Sequence, residues 1–473
     1  MKQSQAAKKA EIDYRRDYFW SAGENAEYFR GILNERRSFL TTAAMNGALR
    51  SPVLEIGAEY AFNGMILQNE LGMDVANVDL SPDALRAATV VSRILGYDAP
   101  VHRVAADAER LPYANGSFNS VLLWGTLHHF ADPSYLLDEI WRVLAPDGHI
   151  VIAEEPIRRR LQWARGRTTR ADHLTGWRRL LANMHLLPFF ARIGGAEEEA
   201  AGVTERDFFR HTWEGMFARY IDAKWFYQPQ LTGGMPSAGP LGRTMWRWFV
   251  EPERRLASLT EWFGGAVNGW AKKPAAVRSL GRARYLLRKH PRHDRIRIQG
   301  YNGALICQGE TMVVEYEVGP LPASAKGRAS VTIELPREPR RVDFFSDDHT
   351  LGLVSYTLTE EFRQPAAVRL ACPDCVVFTE KCIFGACRSE CVQACPRDAL
   401  APTNPRLPVK VSCDGCGLCL HACPYGGLDR PLVVEERCPE CRRRYTREQD
   451  VIESRPKELV GPSGTSHWEK MLR

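Results

Sequence analysis

The sequence predicts a multidomain protein: an α/β domain on a parallel sheet, then a small all-β domain, then a small α+β domain rich in cysteine. Three observations carry this. Short apolar strands alternate with helical stretches from Val53 to Glu155, period-two alternation takes over from Arg295 to about Phe362, and twelve of the thirteen cysteines fall between Cys372 and Cys441. At 473 residues the chain has room for three or four domains, and 44% hydrophobic content suffices for full cores. A formal charge of +6 is mild over this length and calls for no nucleic-acid partner. The sequence has no apolar stretch of membrane-spanning length, and the N-terminal MKQSQAAKKAEIDYRR lacks the apolar core of a secretory signal. A cytoplasmic location is therefore expected.

Residues 1–50 read as an N-terminal helical segment, and 51–274 as the α/β domain. VLEIGAEYAF gives a buried strand ending at Gly57, followed by a helical stretch to about Leu71. A second strand ends in Asp79, and SPDAL opens a helix with Ser81 as N-cap and Pro82 at the first helical position. A third strand precedes Asp107, SVLLWG supplies a fourth, and an amphipathic helix, a PDG turn and HIVIAEE close the alternation. Such alternation implies a parallel sheet with helices on both faces. Residues 157–258 read as a helical insertion forming a lid, and the segment GMFARYIDAKWFYQP within it as lid and acceptor wall. Eight arginines lie between Arg158 and Arg179, interleaved with Trp163 and Trp177 and followed by the apolar run Leu180 to Ile193. This stretch reads as a solvated cover, or as a dock for an anionic substrate, an acidic partner or a membrane surface. Leu259 to Pro274 reads as the final strand pair of the sheet. Residues 295–365 form the expected β-sandwich or barrel, where the lone Cys307 is a buried strand residue. Residues 442–473 read as a basic tail.

Within 372–441, CDGCGLCLHACP holds Cys413, Cys416, Cys419 and Cys423 in a CxxCxxCxxxCP pattern, the spacing that wraps thiolates around an iron–sulfur cubane. Upstream, CIFGACRSECVQACP carries Cys382, Cys387, Cys391 and Cys395, and CVQACPRDAL repeats the form of CLHACPYGGL. This region resembles the two-cluster bacterial ferredoxins, in which the fourth cysteine of each run ligates the other cluster. The resemblance implies two 4Fe–4S clusters, one on Cys382, Cys387, Cys391 and Cys423, the other on Cys413, Cys416, Cys419 and Cys395. The first run departs from the family with gaps of four and three residues. Zinc is the alternative occupant of these eight thiolates. The knuckles CPDC (Cys372, Cys375) and CPEC (Cys438, Cys441) bracket the stretch as one zinc-ribbon or rubredoxin-like site for zinc or mononuclear iron, or as two separate knuckles.

Glu55 with Gly57, Asp79, Asp107 with Ala108, SFNSVLLWGTLHHF and RVLAPDGHIVIAEEP together resemble a class I S-adenosylmethionine-dependent methyltransferase of the small-molecule type. The resemblance implies a Rossmann-like sheet with the cofactor outside the carboxyl ends of the strands. It places Gly57 against the cofactor's methionine part, Asp79 on the ribose hydroxyls and Asp107 and Ala108 at the adenine, with Glu55, Leu80 and Trp124 completing the cofactor site. The family's acidic-x-Gly-x-Gly-x-Gly loop appears here as Glu55, Gly57, Glu59 and Ala61. His128 and His129, after the fourth strand, stand where an acceptor would approach and are the candidate bases. The NPPY or DPPY tetrapeptide of amino-methylating enzymes is absent, which argues against nucleic-acid bases as acceptors.

Two functional classes follow. In one, the chain methylates a small molecule and its fused iron–sulfur module transfers electrons, with a redox protein as a further partner. In the other, it is an electron-transfer or scaffold protein whose degenerate methyltransferase fold only binds a metabolite or partner. Radical chemistry with the same cofactor would need a CxxxCxxC triad, which the sequence lacks. The mixed, slightly basic charge around the clusters suits transfer within a chain or complex.

Overall fold

The computed structural model describes residues 4–18, 26–130, 132–158, 208–229, 265–274, 367–379, 390–400, 412–423, 427–445, 450–456 and 459–460. It further describes 365, 382, 447–448 and the strand backbones named below. Cys387, most of the arginine-rich stretch, most of the apolar run after it and the tail past 460 lie outside the described residues.

The first five strands are β1 (Val53–Ile56), β2 (Val75–Asp79), β3 (His102–Ala105), β4 (Phe118–Trp124) and β5 (Leu144–Ile157). A two-residue pair, β6 (Arg167–Thr168) and β7 (Arg192–Ile193), precedes β8 (Ile221–Pro229) and β9 (Gly265–Lys272). Then come β10 (Val277–Lys289), β11 (Ile296–Gln299), β12 (Leu305–Cys307), β13 (Glu310–Val318), β14 (Gly327–Glu334), β15 (Arg340–Val342) and β16 (Ser346–Glu360). The cysteine region contributes β17 (Val377–Phe378) and β18 (Leu428–Asp429), and the chain's last described strands are β19 (Arg447–Glu448) and β20 (Val451–Glu453).

The helices are α1 (Gln5–Tyr18), α2 (Ala26–Met45), α3 (Phe62–Met65, continued by a π turn to Glu70), α4 (Pro82–Leu95), α5 (Ser134–Val143), α6 (Arg210–Met216), α7 (Glu390–Gln393) and α8 (Leu418–Ala422). Ser81 caps α4 by accepting from the Ala84 N–H at 3.3 Å, Pro82 opens it, and Gly96 ends it at φ +77°.

One nine-stranded sheet runs β19-β20-β3-β2-β1-β4-β5-β9-β8. Strands β3, β2, β1, β4 and β5 are parallel, and β9 and β8 extend the far edge antiparallel. Every residue of β1 is buried, as expected for a central parallel strand covered on both faces. Alternation divides the core. Leu54, Ile56, Val121 and Leu123 pack with Leu136 and Ile140 of α5 and Trp213 of α6, whereas Val53, Leu122 and Val151 pack with Phe29, Leu33 and Leu40 of α2.

The structure corrects three boundaries. Residues 221–229, read as lid and acceptor wall, form the edge strand β8. The β region begins at Val277 rather than residue 295, because β10 pairs between β11 and the central strand β16 in the order β11-β10-β16-β13-β14. The segment read as a basic tail supplies β20, which pairs in parallel with β3 and so completes the other edge of the large sheet. Among the described residues, no helix is long and apolar enough to cross a membrane.

Candidate cofactor cleft and cysteine sites

The carboxyl ends of β1, β2 and β4 converge on the loop after β1. Gly57 lies at φ +71°, and a Cβ there would sit 2.5 Å from Thr126 Oγ1, so glycine lets the β1 and β4 ends meet. Glu59 and Ala61 also adopt left-handed backbone, at φ 50° and 55°. All three alternate positions of the loop thus hold left-handed backbone, two of them with side chains. Sequence reasoning missed a further glycine of this segment. At Gly64 in α3, a Cβ would lie 1.9 Å from Asn77 Oδ1, so glycine here leaves room for the Asn77 side chain of β2. Its signal was a glycine seven positions after Gly57.

Asp79 accepts hydrogen bonds from the Glu59 N–H and the Ser81 N–H, both at 2.8 Å, and so ties the loop to the start of α4. Glu55 lies beneath the loop, 1% exposed, accepting from Asn63 Nδ2 at 2.8 Å and the Gly64 N–H at 3.0 Å. Burial pushes its carboxyl up to about 7. The Arg36 guanidinium of α2 stands 5.0 Å from the Trp124 ring centre and 5.4 Å from that of Phe62. Gly57, Glu59, Asp79, Leu80, Ala108 and Trp124 are half-buried among buried neighbours at the strand ends.

Asp107 caps the 3-10 turn Ala108–Arg110, accepting from the Glu109 N–H at 3.0 Å. Its other oxygen meets Lys8 Nζ of α1 at 2.6 Å, and Lys8 also reaches Glu109 at 2.7 Å. Burial works against the ammonium, but the two carboxylates outweigh it and raise its pKa. Nothing in the sequence linked Lys8 to this acid.

After β4, His128 Nδ1 lies 3.1 Å from Glu155 Oε2. Glu155, fully buried near the end of β5, also accepts from the Thr126 and Leu127 N–H groups at 2.6 Å each and from the His128 N–H at 3.2 Å. It fixes both the turn and the imidazole. His129 lies against His128, ring centres 4.2 Å apart. Of the two candidate bases, His128 has the buried Glu155 carboxylate against its Nδ1. Glu155 was hidden in the AEEP segment that sequence reading treated only as strand.

In the cysteine region the outer knuckles come together. Cys372, Cys375, Cys438 and Cys441 place their sulfurs within 4.8 Å of one another, with Cys372–Cys441 at 3.7 Å and Cys375–Cys438 at 3.8 Å. A tetrahedral zinc–thiolate centre with bonds of about 2.3 Å has edges of about 3.8 Å. The donor set therefore fits one tetrahedral ion. Four thiolates this close repel one another, so they would need a cation to coexist here.

Cys395, Cys413, Cys416 and Cys419 line a small cavity together with Val376 and Leu400, which is the crossed set that the ferredoxin resemblance implies. Backbone N–H groups point at the sulfurs: Ala399 to Cys395 at 3.3 Å, Gly415 to Cys413 at 3.4 Å and Gly427 to Cys423 at 3.3 Å. Such bonds stabilise thiolates bound to a cluster. Cys391 and Cys423 pack beside this set, and Cys382 approaches Gly427.

The cysteine region docks on the α/β domain. Glu139 of α5, fully buried, pairs with Arg142 at 2.8 Å, His421 at 3.2 Å and Arg430 at 3.8 Å. The Asn115 N–H donates to Asp429 at 2.9 Å, and Asn115 Nδ2 donates to the Leu428 carbonyl at 2.9 Å.

Residues 54–152 match the family model described as a methyltransferase domain, so this part of the chain carries such a domain. The chain is similar to a demethylmenaquinone methyltransferase of Thermus thermophilus, 34% identical over 92 residues that cover 20% of this chain and 41% of the relative. It is also similar to a 2-methyl-6-phytyl-1,4-hydroquinone methyltransferase of Synechocystis, 28% identical over 206 residues that cover 40% and 61%. It spans less than two thirds of the length of either. Among solved structures, an Archaeoglobus fulgidus SAM-dependent methyltransferase aligns at 17% identity and a TM-score of 0.32, covering 54% of this chain and 100% of that one.

Proposed function

We propose that the chain transfers a methyl group from S-adenosylmethionine to a small-molecule acceptor bearing a ring hydroxyl of the quinol class, with the cysteine region acting as a fused iron–sulfur electron-transfer module. The observation that carries this is the His128–Glu155 pair at the strand ends beside a glycine-type loop that keeps its left-handed backbone. Gly57, Asp79, Leu80, Ala108 and Trp124 would hold the cofactor, whose sulfonium supplies the methyl group. Glu155, accepting at Nδ1, leaves Nε2 as the basic nitrogen of His128. Nε2 takes the acceptor's hydroxyl proton as the methyl group arrives, and the buried carboxylate stabilises the resulting imidazolium. The quinol class rests on the two relatives, one named for a demethylmenaquinone and the other for a 1,4-hydroquinone. Clusters on the eight inner cysteines would supply single electrons, two of which with two protons reduce a quinone to the electron-rich hydroquinone that a sulfonium can methylate.

Calorimetry tests the cofactor and kinetics test the base. The wild type is expected to bind S-adenosylmethionine, Asp79→Ala to lose about tenfold or more in affinity, and His128→Ala to keep affinity while kcat falls by about 10²–10⁴. No binding by the wild type would leave the scaffold reading in its place. Metal and sulfide analysis is expected to give about eight iron and about one further tetrahedral ion per chain.

A further inference from the structure

We infer that the four-cysteine site is a structural metal centre that locks the outer edge of the methyltransferase sheet and, through it, the turn carrying Asp107. The effect on cofactor binding rests on the methyl-transfer reading; the lock on the sheet edge does not. Strand β20 has three residues and its outer partner β19 two. So little pairing does not hold a strand in place unaided. Both knuckles, however, are wired to this edge.

On the first knuckle, Arg110 Nε donates to the Pro373 carbonyl at 3.1 Å and its Nη2 lies 3.2 Å from Asp374, the residue between Pro373 and Cys375. The Ala371 N–H donates to the Pro112 carbonyl at 2.7 Å. Arg110 is also the last residue of the turn that Asp107 caps. On the second knuckle, Arg443 pairs with Asp374 and donates from Nη2 to the Arg455 carbonyl at 2.7 Å. Arg455 pairs with Glu453 of β20 at 2.6 Å, and the Ser454 N–H donates to the Ala105 carbonyl of β3 at 2.8 Å. Asp374 is therefore shared by an arginine from the cofactor turn and one from the segment leading to β20. An ion bonded to Cys372, Cys375, Cys438 and Cys441 fixes the two knuckles to each other and hence both arginines to one point. The ligand class is a single thiophilic cation, zinc or ferrous iron.

Hydrogen exchange and elemental analysis on the full chain decide this. Cys441→Ser, at the exposed ligand, is expected to lose one ion per chain, keep the cluster absorbance, and exchange the amides of 103–106 and 451–454 at least tenfold faster. Arg443→Gln is expected to keep the ion and still accelerate 451–454. A wild type without the extra ion, or loss of the ion with unchanged exchange, overturns the lock. Faster exchange with unchanged S-adenosylmethionine affinity overturns the link to the Asp107 turn. A wild type that binds no S-adenosylmethionine sinks the methyl-transfer reading, while the exchange contrast still decides the lock.

Discussion

Glu55 shows what a single landmark residue conceals. Its position beside Gly57 was legible, but no local pattern signalled that it lies under the loop, sharing its oxygens between Asn63 and Gly64. With its pKa raised from 4.5 to about 7, the folded state holds this proton more firmly than the unfolded state does. That contribution is fully present below about pH 4.5 and is lost as pH rises through about 7. Glu55→Gln is therefore expected to flatten the stability profile, removing on the order of 1–3 kcal/mol of the loss between pH 5 and pH 8, measured by urea unfolding at both values. Lys8 and Glu155 were illegible for a related reason. Each matters through a partner distant in sequence, and neither sits in a motif that announces it.

At the scale of elements, hydrophobic periodicity and caps placed β1 to β5, α4 and α5, because each is a local pattern buried by its immediate surroundings. The same logic failed for β8 and β20. The aromatic run WFYQP reads equally as a lid, and three residues, VIE, carry too little alternation to declare a strand whose partner is far earlier in the chain. The loop after β1 was legible in position but not in shape. Loss of its glycines suggested damage, whereas Glu59 and Ala61 hold the left-handed backbone themselves. That conformation strains a residue bearing a Cβ. Glu59→Gly is expected to stabilise the fold by about 0.5–1 kcal/mol, visible as a raised melting temperature.

Across the whole molecule, the cysteine spacing was the clearest signal and its meaning the most local; what it could not show is that the module is built into the methyltransferase domain. Glu139 at the centre of that interface is fully buried between Arg142, His421 and Arg430. Glu139→Gln leaves buried cations uncompensated and is expected to cost about 3–5 kcal/mol, with limited proteolysis releasing the cysteine module. The parallel strand β20 also has a consequence for synthesis. A ribosome delivers β1 to β5 long before Val451, so the nascent domain waits with one flank of β3 unpaired. An unpaired strand flank is a template for aggregation. Until the distal segment emerges, that open flank of β3 is the part of the nascent domain most exposed to mispairing with other chains.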